Sequence, residues 1–507
     1  MKKISNLDDL QEIIKKLKKK GKKIVQCHGV FDLLHLGHIK HFEKAKNFGD
    51  ILIVTVTPDE YVKKGPNRPV FSLRQRMESL SALEVVDYVA PNKWDNAEKA
   101  IKIVKPHVYC KGPDYKDNKS DLTRKIYLEI KAVKSVGGRI EYTDKKDIFS
   151  SSKIINESVS NFSTSQKNLI YKIKKNFSFE KIQKIIESFN KLRILVIGET
   201  IIDQYFFCEA MGKSGKEPVL VLRDLKMETY PGGSAAIARH LSPFCKSISL
   251  LSMLGEKKEF EGYLKKTLPK NIKFDFIYKS GSPTILKKRF VEQINKRKIL
   301  GVYNLNDQLL SKKNEEEFSK KLDKHLKKYD LIILTDYGHG LISQKSANKI
   351  CNSKKFLSVC AQVNSSNIGY HTISKYKNSQ SVVINETELR HEMRDKNQPI
   401  KLLMSSLCKK YKIKNLIVTR GSQGVILFST KDKKYYEAPA FTDRVTDKVG
   451  TGDAMMAIIS LCLKMNFDKN LTLLISSLAA AQSVETIGNK NSIEKNLIYK
   501  SLQYLLK

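Results

Sequence analysis

Acidic residues are in short supply in this chain: its 507 residues carry 53 Asp and Glu against 92 Lys and Arg, a formal charge of +39. Tryptophan occurs once, at Trp94, and the eight cysteines include no CxxC pair. Cysteines so far apart suit neither a zinc site nor a disulfide scaffold, and reduced thiols in a cytoplasmic protein are expected. No apolar run reaches the ~20 residues that a membrane-spanning helix needs. Ala454–Leu463 and Leu473–Ala481 are typical of the stretches present. The opening MKKISNLDDLQEIIKK has no apolar core of the kind a secretory signal requires. Hydrophobic residues are not scarce. At 41% of the chain they exclude a disordered or collagen-like protein. At ~100–200 residues per domain, the length predicts two to four domains.

The positive surplus alone would suit nucleic acid or an anionic membrane. The lysines, however, are spread along the chain and nearly absent from its apolar segments, the pattern of solvated faces, so neither partner is expected. Phosphorylated substrates would gain from the positive field.

Apolar periodicity organises the chain. Ser5-x-x-Asp8 reads as a capping box ahead of Leu7, Leu10, Ile13, Ile14 and Leu17 at helical spacing. Short buried strands follow at Ile24–Cys27, Asp50–Thr57, Tyr88–Ala90 and His107–Cys110, with helices between them from His38, over Leu73–Leu83 and from Ala97. Such alternation argues for a parallel sheet covered on both faces. Residues 159–190 read as a connector with one amphipathic helix, marked by Phe179, Ile182, Ile186 and Phe189. A second alternating region opens at Ile194–Ile197 and includes strands at Leu331–Leu334, Ser381–Ile384 and Leu416–Thr419. The expected architecture is α/β throughout: a Rossmann-like domain over 1–158, a linker, and a larger domain over 191–507.

Two segments carry chemistry. Gly29–His38 (GVFDLLHLGH) sets His35 and His38 three residues apart where a loop enters a helix. A helix start offers unpaired N–H groups and a positive dipole end, and two imidazoles there can donate to phosphoryl oxygens as charge builds. In Lys448–Ala454 (KVGTGDA), Gly450 and Gly452 let successive amides converge on one anion, and Asp453 in the first helical turn can take a proton from an attacking hydroxyl.

The first segment resembles the HxGH signature of the cytidylyltransferase-like nucleotidyltransferases. The resemblance runs from about Lys22 to Glu157 through Arg68-Pro69, Arg74-Gln75-Arg76, Lys111-Gly112-Pro113-Asp114-Tyr115 and Ser150-Ser151-Ser152. It implies that an acceptor phosphate attacks the α-phosphorus of a nucleoside triphosphate and that pyrophosphate leaves. It also implies that His35 and His38 hold the transferring phosphates and Lys46 neutralises charge. Gly29, Phe31, Lys111, Asp114, Ser151 and Ser152 would complete the nucleotide site. ATP and CTP both stay open, because the run Lys145–Phe149 lacks the arginine that glycerol-phosphate cytidylyltransferases carry before their Ser/Thr pair.

The second segment resembles the ribokinase-like carbohydrate kinases, over about Lys191–Lys507. Pro231–Ala236 matches their sugar-binding glycine motif, Asn385–Glu388 their Asn-x-x-Glu element, Thr419–Gly424 their nucleotide-side loop and Gly450–Asp453 their anion hole. The resemblance implies Asp453 as the base and Gly450, Thr451 and Gly452 on the transferring phosphoryl group. It places Asn385, Glu388, Thr419, Gly421 and Gly424 on the nucleotide side, with Mg²⁺ tied indirectly to Glu388. Asp203, Gly232, Gly233, Arg289 and Asp336 would hold the sugar.

Both halves look most like those of the bifunctional heptose-phosphate enzymes, in reversed order. Two departures stand out: Gly215–Pro218, and Ala361–Asn367 in place of an Asp-Pro-Lys run. The implied activity is ATP-dependent phosphorylation of a heptose 7-phosphate-like sugar at its anomeric hydroxyl, followed by nucleotidyl transfer. The implied partners are sugar phosphates and nucleoside triphosphates, with homodimerisation through a small β lid near Cys208–Leu225. One active half beside a diverged module, and a basic polyanion-binding protein, are the alternatives.

Overall fold

The computed structural model describes residues 3–62, 68–112, 125–143, 162–364, 367–442 and 444–506. The chain divides into two compact units: Met1–Phe162 with Tyr499–Lys507, and Ser163–Ile498.

In the first unit, β1 (Ile24–Gly29), β2 (Ile51–Val56), β3 (Tyr88–Pro91), β4 (Val108–Lys111) and β5 (Arg139–Tyr142) form an all-parallel sheet in the order β3-β2-β1-β4-β5. Near-continuous apolar strands such as ILIVTV are buried on both faces, as a parallel sheet with helical crossovers requires. The first helix is Leu7–Lys19, capped by Asn6, whose side chain accepts from the Asp9 amide. The expected Ser5–Asp8 box is therefore displaced by one residue. The C-terminal residues join this unit, with the Arg68 guanidinium 5.6 Å from the Tyr504 ring centroid.

The second unit is built on a twelve-stranded sheet. Its core holds β8 (Ile248–Gly255) and β9 (Ile272–Lys279) beside β6 (Ile194–Lys213), then β12 (Leu331–Asp336), β13 (Phe356–Ala361), β14 (Ser381–Asn385), β15 (Asn415–Thr419), β16 (Val425–Ser429) and β17 (Lys434–Ala438). Only the last two pairings of that series are antiparallel. Strand β6 outruns the core. Its far half pairs with β7 (Leu220–Gly233) and β10 (Leu286–Glu292), and β10 with β11 (Lys298–Asn304), making the small β lid.

The stretch read as a connector with one helix holds two, Thr164–Asn176 and Phe179–Glu187. They belong to the second unit, where Gln166 donates to the Ala440 carbonyl at 2.6 Å. Serines 163 and 178 cap them, and Ser163 with Gln166 forms a full capping box. The boundary at 158/159 lies outside the described residues. Among the described residues, no helix is long and apolar enough to cross a membrane.

Candidate functional site

Each unit places one of the two motifs at a helix start. In the first, β1 ends at Gly29 and the chain turns through Phe31 in the left-handed region, φ 49°. A Cβ at residue 29 would lie 2.9 Å from the Phe31 ring, so only glycine lets that ring fold back. Phe31 then packs edge-on against His38, 5.5 Å between centroids, and against Phe42. It therefore orients His38, and its buried ring is a support rather than a ligand contact.

The helix begins at Leu36, two residues earlier than the sequence reading placed it, with His35 as its N-cap. His35 Nδ1 accepts from the Gly37 amide at 3.0 Å. A neutral imidazole with Nδ1 accepting carries its proton on Nε2, so His35 presents an N–H donor. Burial holds its pKa below the ordinary histidine value. The His38 ring lies 4.0 Å away, tilted by 30°. Two imidazoles thus sit side by side at the positive end of a helix.

The loop that carries them is clamped from below by residues whose roles the sequence reading missed. Asp32 pairs with Arg68 at 2.7 Å, both buried, and accepts the amides of Val70 and Phe71. Arg76, 1% exposed, donates to the carbonyls of Val30, Thr57 and Phe71 and pairs with Asp59 at 2.6 Å. A buried guanidinium with every arm spent on backbone fixes a loop rather than a ligand.

Two expected phosphate ligands have carboxylate partners within the unit. Lys46 sits at the far end of the His35-capped helix, ~15 Å of helical rise from its start. Its ammonium pairs with Asp87 and donates to the Asp50 carbonyl at 2.7 Å, tying the helix end to the start of β2. Lys46→Met is therefore expected to leave nucleotidyl transfer within about 2-fold of wild type. The same change should lower the melting temperature by a few degrees, as ~1 kcal/mol from a half-buried pair implies. Lys111 is 6% exposed and pairs with Glu129 at 2.8 Å. Burial alone would raise the Glu129 pKa, but Lys111 and His28 together hold it below the ordinary value. Asp114, Ser151 and Ser152 lie outside the described residues.

In the second unit, Gly450 caps the helix Thr451–Lys464 with φ 83°. A Cβ there would meet Asn489 Oδ1 at 2.1 Å, whereas one at Gly452 would meet open space. The Thr451 hydroxyl is buried with no hydrogen-bond partner. An orphaned donor beside a glycine-lined helix start is what a bound anion would satisfy. Asp453, in the same turn, accepts the Tyr337 hydroxyl on Oδ1 at 3.0 Å, which leaves Oδ2 for another donor. Burial raises its pKa to about 7; Tyr337 and Lys287 oppose that shift, and the Asp203 charge adds to it.

Asp203 pairs with Arg289, both nearly buried. A Cβ at Gly232 would lie 2.4 Å from Asp203 Oδ2, and Gly233, φ 59°, would meet the Glu199 carbonyl at 2.5 Å. The glycine pair is thus required for β7 to close over the carboxylate. Lys287 shares a face of β10 with Arg289 and stands in register with Asp203, which turns an apparent charge run into one cationic wall. Strand periodicity was the signal that could have found it.

Asp336, expected on the sugar, has internal partners. It is 1% exposed and holds Lys375 at 2.6 Å, the Tyr376 hydroxyl and the Gly338 amide at 3.0 Å. Its work is to shape the turn that delivers Tyr337. Glu199 shares it, with its carboxylate accepting the amides of Tyr337 and His339. From the divergent segment, Asn364 and Asn367 serve the same turn, both donating to the Tyr337 carbonyl, at 2.8 and 3.1 Å. His339, bonded to Asp307 at 2.6 Å, is internal as well.

On the expected nucleotide side, Asn385 and Glu388 cap one helix reciprocally. Glu388 Oε1 also accepts the Val363 amide at 3.1 Å. Both its oxygens therefore already hold backbone, so the fit to Mg²⁺ is through water and phosphate rather than by direct ligation. Gly421, φ 57°, opens the turn after Thr419, and a Cβ at Gly424 would strike the Ala438 carbonyl at 2.1 Å.

The family model described as Cytidylyltransferase-like matches residues 27–157, and that described as pfkB family carbohydrate kinase matches 191–496. The Bifunctional protein HldE of Sulfurimonas denitrificans is 41% identical over 138 residues, which is 27% of this chain and 29% of that protein. The HldE of Geobacter metallireducens is 40% identical over 157 residues, 31% of each. The matches thus span less than a third of the length of these relatives. Phosphofructokinase-2 from Escherichia coli, solved in complex with substrates and products, aligns with 62% of this chain and 100% of its own at TM-score 0.50 and 15% identity, a likeness of fold. The expected reversal of domain order is corrected: the transferase span comes first and the kinase span second, and these matches do not make that order a reversal. With the kinase model covering well over half of the residues, the chain belongs to the pfkB family of carbohydrate kinases.

Proposed function

We propose that the chain is a bifunctional sugar-activating enzyme. Its second unit phosphorylates a sugar phosphate of the heptose 7-phosphate kind at the anomeric hydroxyl, and its first unit transfers a nucleotidyl group onto the resulting 1-phosphate. The observation that carries this reading is Asp453, one oxygen held by Tyr337 and the other free, beside an anion-ready helix start.

In the kinase step, Asp453 Oδ2 takes the proton of the acceptor hydroxyl while the Gly450–Gly452 amides and the Thr451 hydroxyl hold the transferring phosphoryl oxygens. Asp203 and the Arg289–Lys287 wall orient the sugar and its existing phosphate. Mg²⁺ bound with the nucleotide would neutralise phosphate charge, and the Asn385–Glu388 cap is placed to orient its water. In the transfer step the Nε2–H of His35, with His38 beside it, donates to phosphoryl oxygens as pyrophosphate departs. No covalent enzyme intermediate is required, so alignment and charge stabilisation are the protein's contribution.

ATP is the phosphoryl donor in this reading, and ATP or CTP the nucleotidyl donor. The exposed apolar residues of the lid, among them Leu220, Met227 and Leu300, fit cover by a second copy of the chain. Sedimentation showing only monomer would remove that part.

The test is mass-spectrometric identification of products from a panel of sugar phosphates with each of the four nucleoside triphosphates. Expected is a nucleotide-sugar formed with pyrophosphate, dependent on ATP and on one sugar 7-phosphate. A sugar bisphosphate that accumulates with every triphosphate would confine the activity to the kinase half.

A further inference from the structure

Cysteine spacing argued against a zinc site, but the fold brings together three residues far apart in the chain. Strands β1 and β4 are parallel neighbours, and their register sets Cys27 directly beside Cys110. His41 reaches them from the helix Leu36–Lys46, and one ligand atom from each of the three lies within 4.8 Å of the other two. A tetrahedral zinc ion with sulfur at ~2.3 Å and nitrogen at ~2.0 Å separates its ligands by about 3.5–3.8 Å. Binding would draw ligand atoms that lie within 4.8 Å of one another together by up to about 1.3 Å.

The surroundings favour a ligand set over chance packing. His41 Nδ1 is bonded to the Thr143 hydroxyl at 3.1 Å, which leaves Nε2 as the remaining ring nitrogen. A hydrogen bond at the opposite ring nitrogen fixes the tautomer of a metal-bound histidine. Both cysteines are buried, at 0% and 1% exposure, so solvent would not compete for the sulfurs. Lys111, next to Cys110 on β4, is paired with Glu129 at 2.8 Å.

We propose that Cys27, Cys110 and His41 bind one soft divalent cation of the zinc class. Two thiol protons leave to solvent as two metal–sulfur bonds form, and the neutral imidazole lends a lone pair. The two thiolates balance the charge of the ion, and a water completes the fourth position. Cys27 lies two residues before Gly29, and His41 follows His38 on the same helix. The ion would therefore pin the histidine-bearing helix to the sheet, a positioning role for the transfer site rather than a catalytic one.

Cobalt(II) is the probe, added to the reduced full-length chain. Expected is one cobalt per chain, with thiolate-to-cobalt charge-transfer absorption and the visible bands of tetrahedral cobalt, both abolished by zinc. Cys27→Val and Cys110→Val should each lose the charge-transfer absorption, and Cys245→Val, at a lone buried cysteine elsewhere, should keep it. Thr143→Val leaves all three ligands in place and should weaken cobalt binding by about 10-fold. Zinc should raise the melting temperature of the wild type but not that of Cys27→Val. Three results would each overturn the site: no charge-transfer absorption in the reduced wild-type chain, absorption that survives Cys27→Val, or Cys27 and Cys110 recovered as a disulfide that binds no cobalt after reduction.

Discussion

Asp453→Asn is expected to reduce sugar phosphorylation by about 10²–10⁴-fold, the range spanned by a positioned general base. Asparagine keeps the size of the side chain and can still accept from Tyr337 on its carbonyl oxygen, so binding should survive and kcat should carry the loss. The carboxyl titrates near 7 because burial disfavours its charge. The base must be ionised, so wild-type kcat/KM for phosphorylation should fall about tenfold per pH unit below roughly 7 and flatten above it. Stability runs the other way. A carboxyl whose pKa is raised on folding binds its proton more tightly in the folded state. Its stabilising contribution is present below pH ~4 and is lost as pH rises through about 7. Asp453→Asn should accordingly melt higher than wild type at pH 8, with the difference shrinking towards pH 4. Melting curves across that range, paired with phosphorylation rates, check both signs. Unchanged phosphorylation would remove the base assignment.

His35→Asn separates two roles held by one side chain. Asparagine is among the best N-capping residues, so it can still accept from the Gly37 amide and keep the helix start. What disappears is the Nε2–H donor. Loss of one preorganised donor to a developing oxyanion costs about 10²–10³ in rate. Pyrophosphate release should fall by that factor with the melting temperature unchanged and sugar phosphorylation intact. His35→Ala should lose the cap as well, at roughly 1 kcal/mol, and melt lower. Equal transfer rates in wild type and His35→Asn would show that the imidazole serves only the cap.

Local patterns exposed most of this architecture. The alternation of buried strands with helices gave the α/β class, and GVFDLLHLGH and KVGTGD each lie at a helix start, where an anion is best held. Long-range pairing stayed hidden. Lys46 reads as a phosphate ligand from its motif, yet a helix of eleven residues separates it from the His35 cap. Asp336 looks like a sugar contact until Lys375, Tyr376 and Gly338 close around it. Cys27 and Cys110 share no sequence neighbourhood, and only the pairing of β1 with β4 makes them adjacent. The helix Thr164–Asn176 was legible in principle, because Ser163 and Gln166 spell a capping box. The divergent Asn364 and Asn367 could not be interpreted without the carbonyl of Tyr337 to receive them.

Strand β6 runs from the core, where Ile194–Gly198 pair with β12, into the outer ribbon, where Thr200–Lys213 pair with β7. Asp203 lies just past the point where β6 leaves the core, paired with Tyr230 of β7 on one side and Lys287 of β10 on the other. On the proposed function, bending of the ribbon would carry with it the carboxylate that holds the sugar, and an occupied grip would stiffen the ribbon in return. Substrate capture and enclosure would then be one mechanical event.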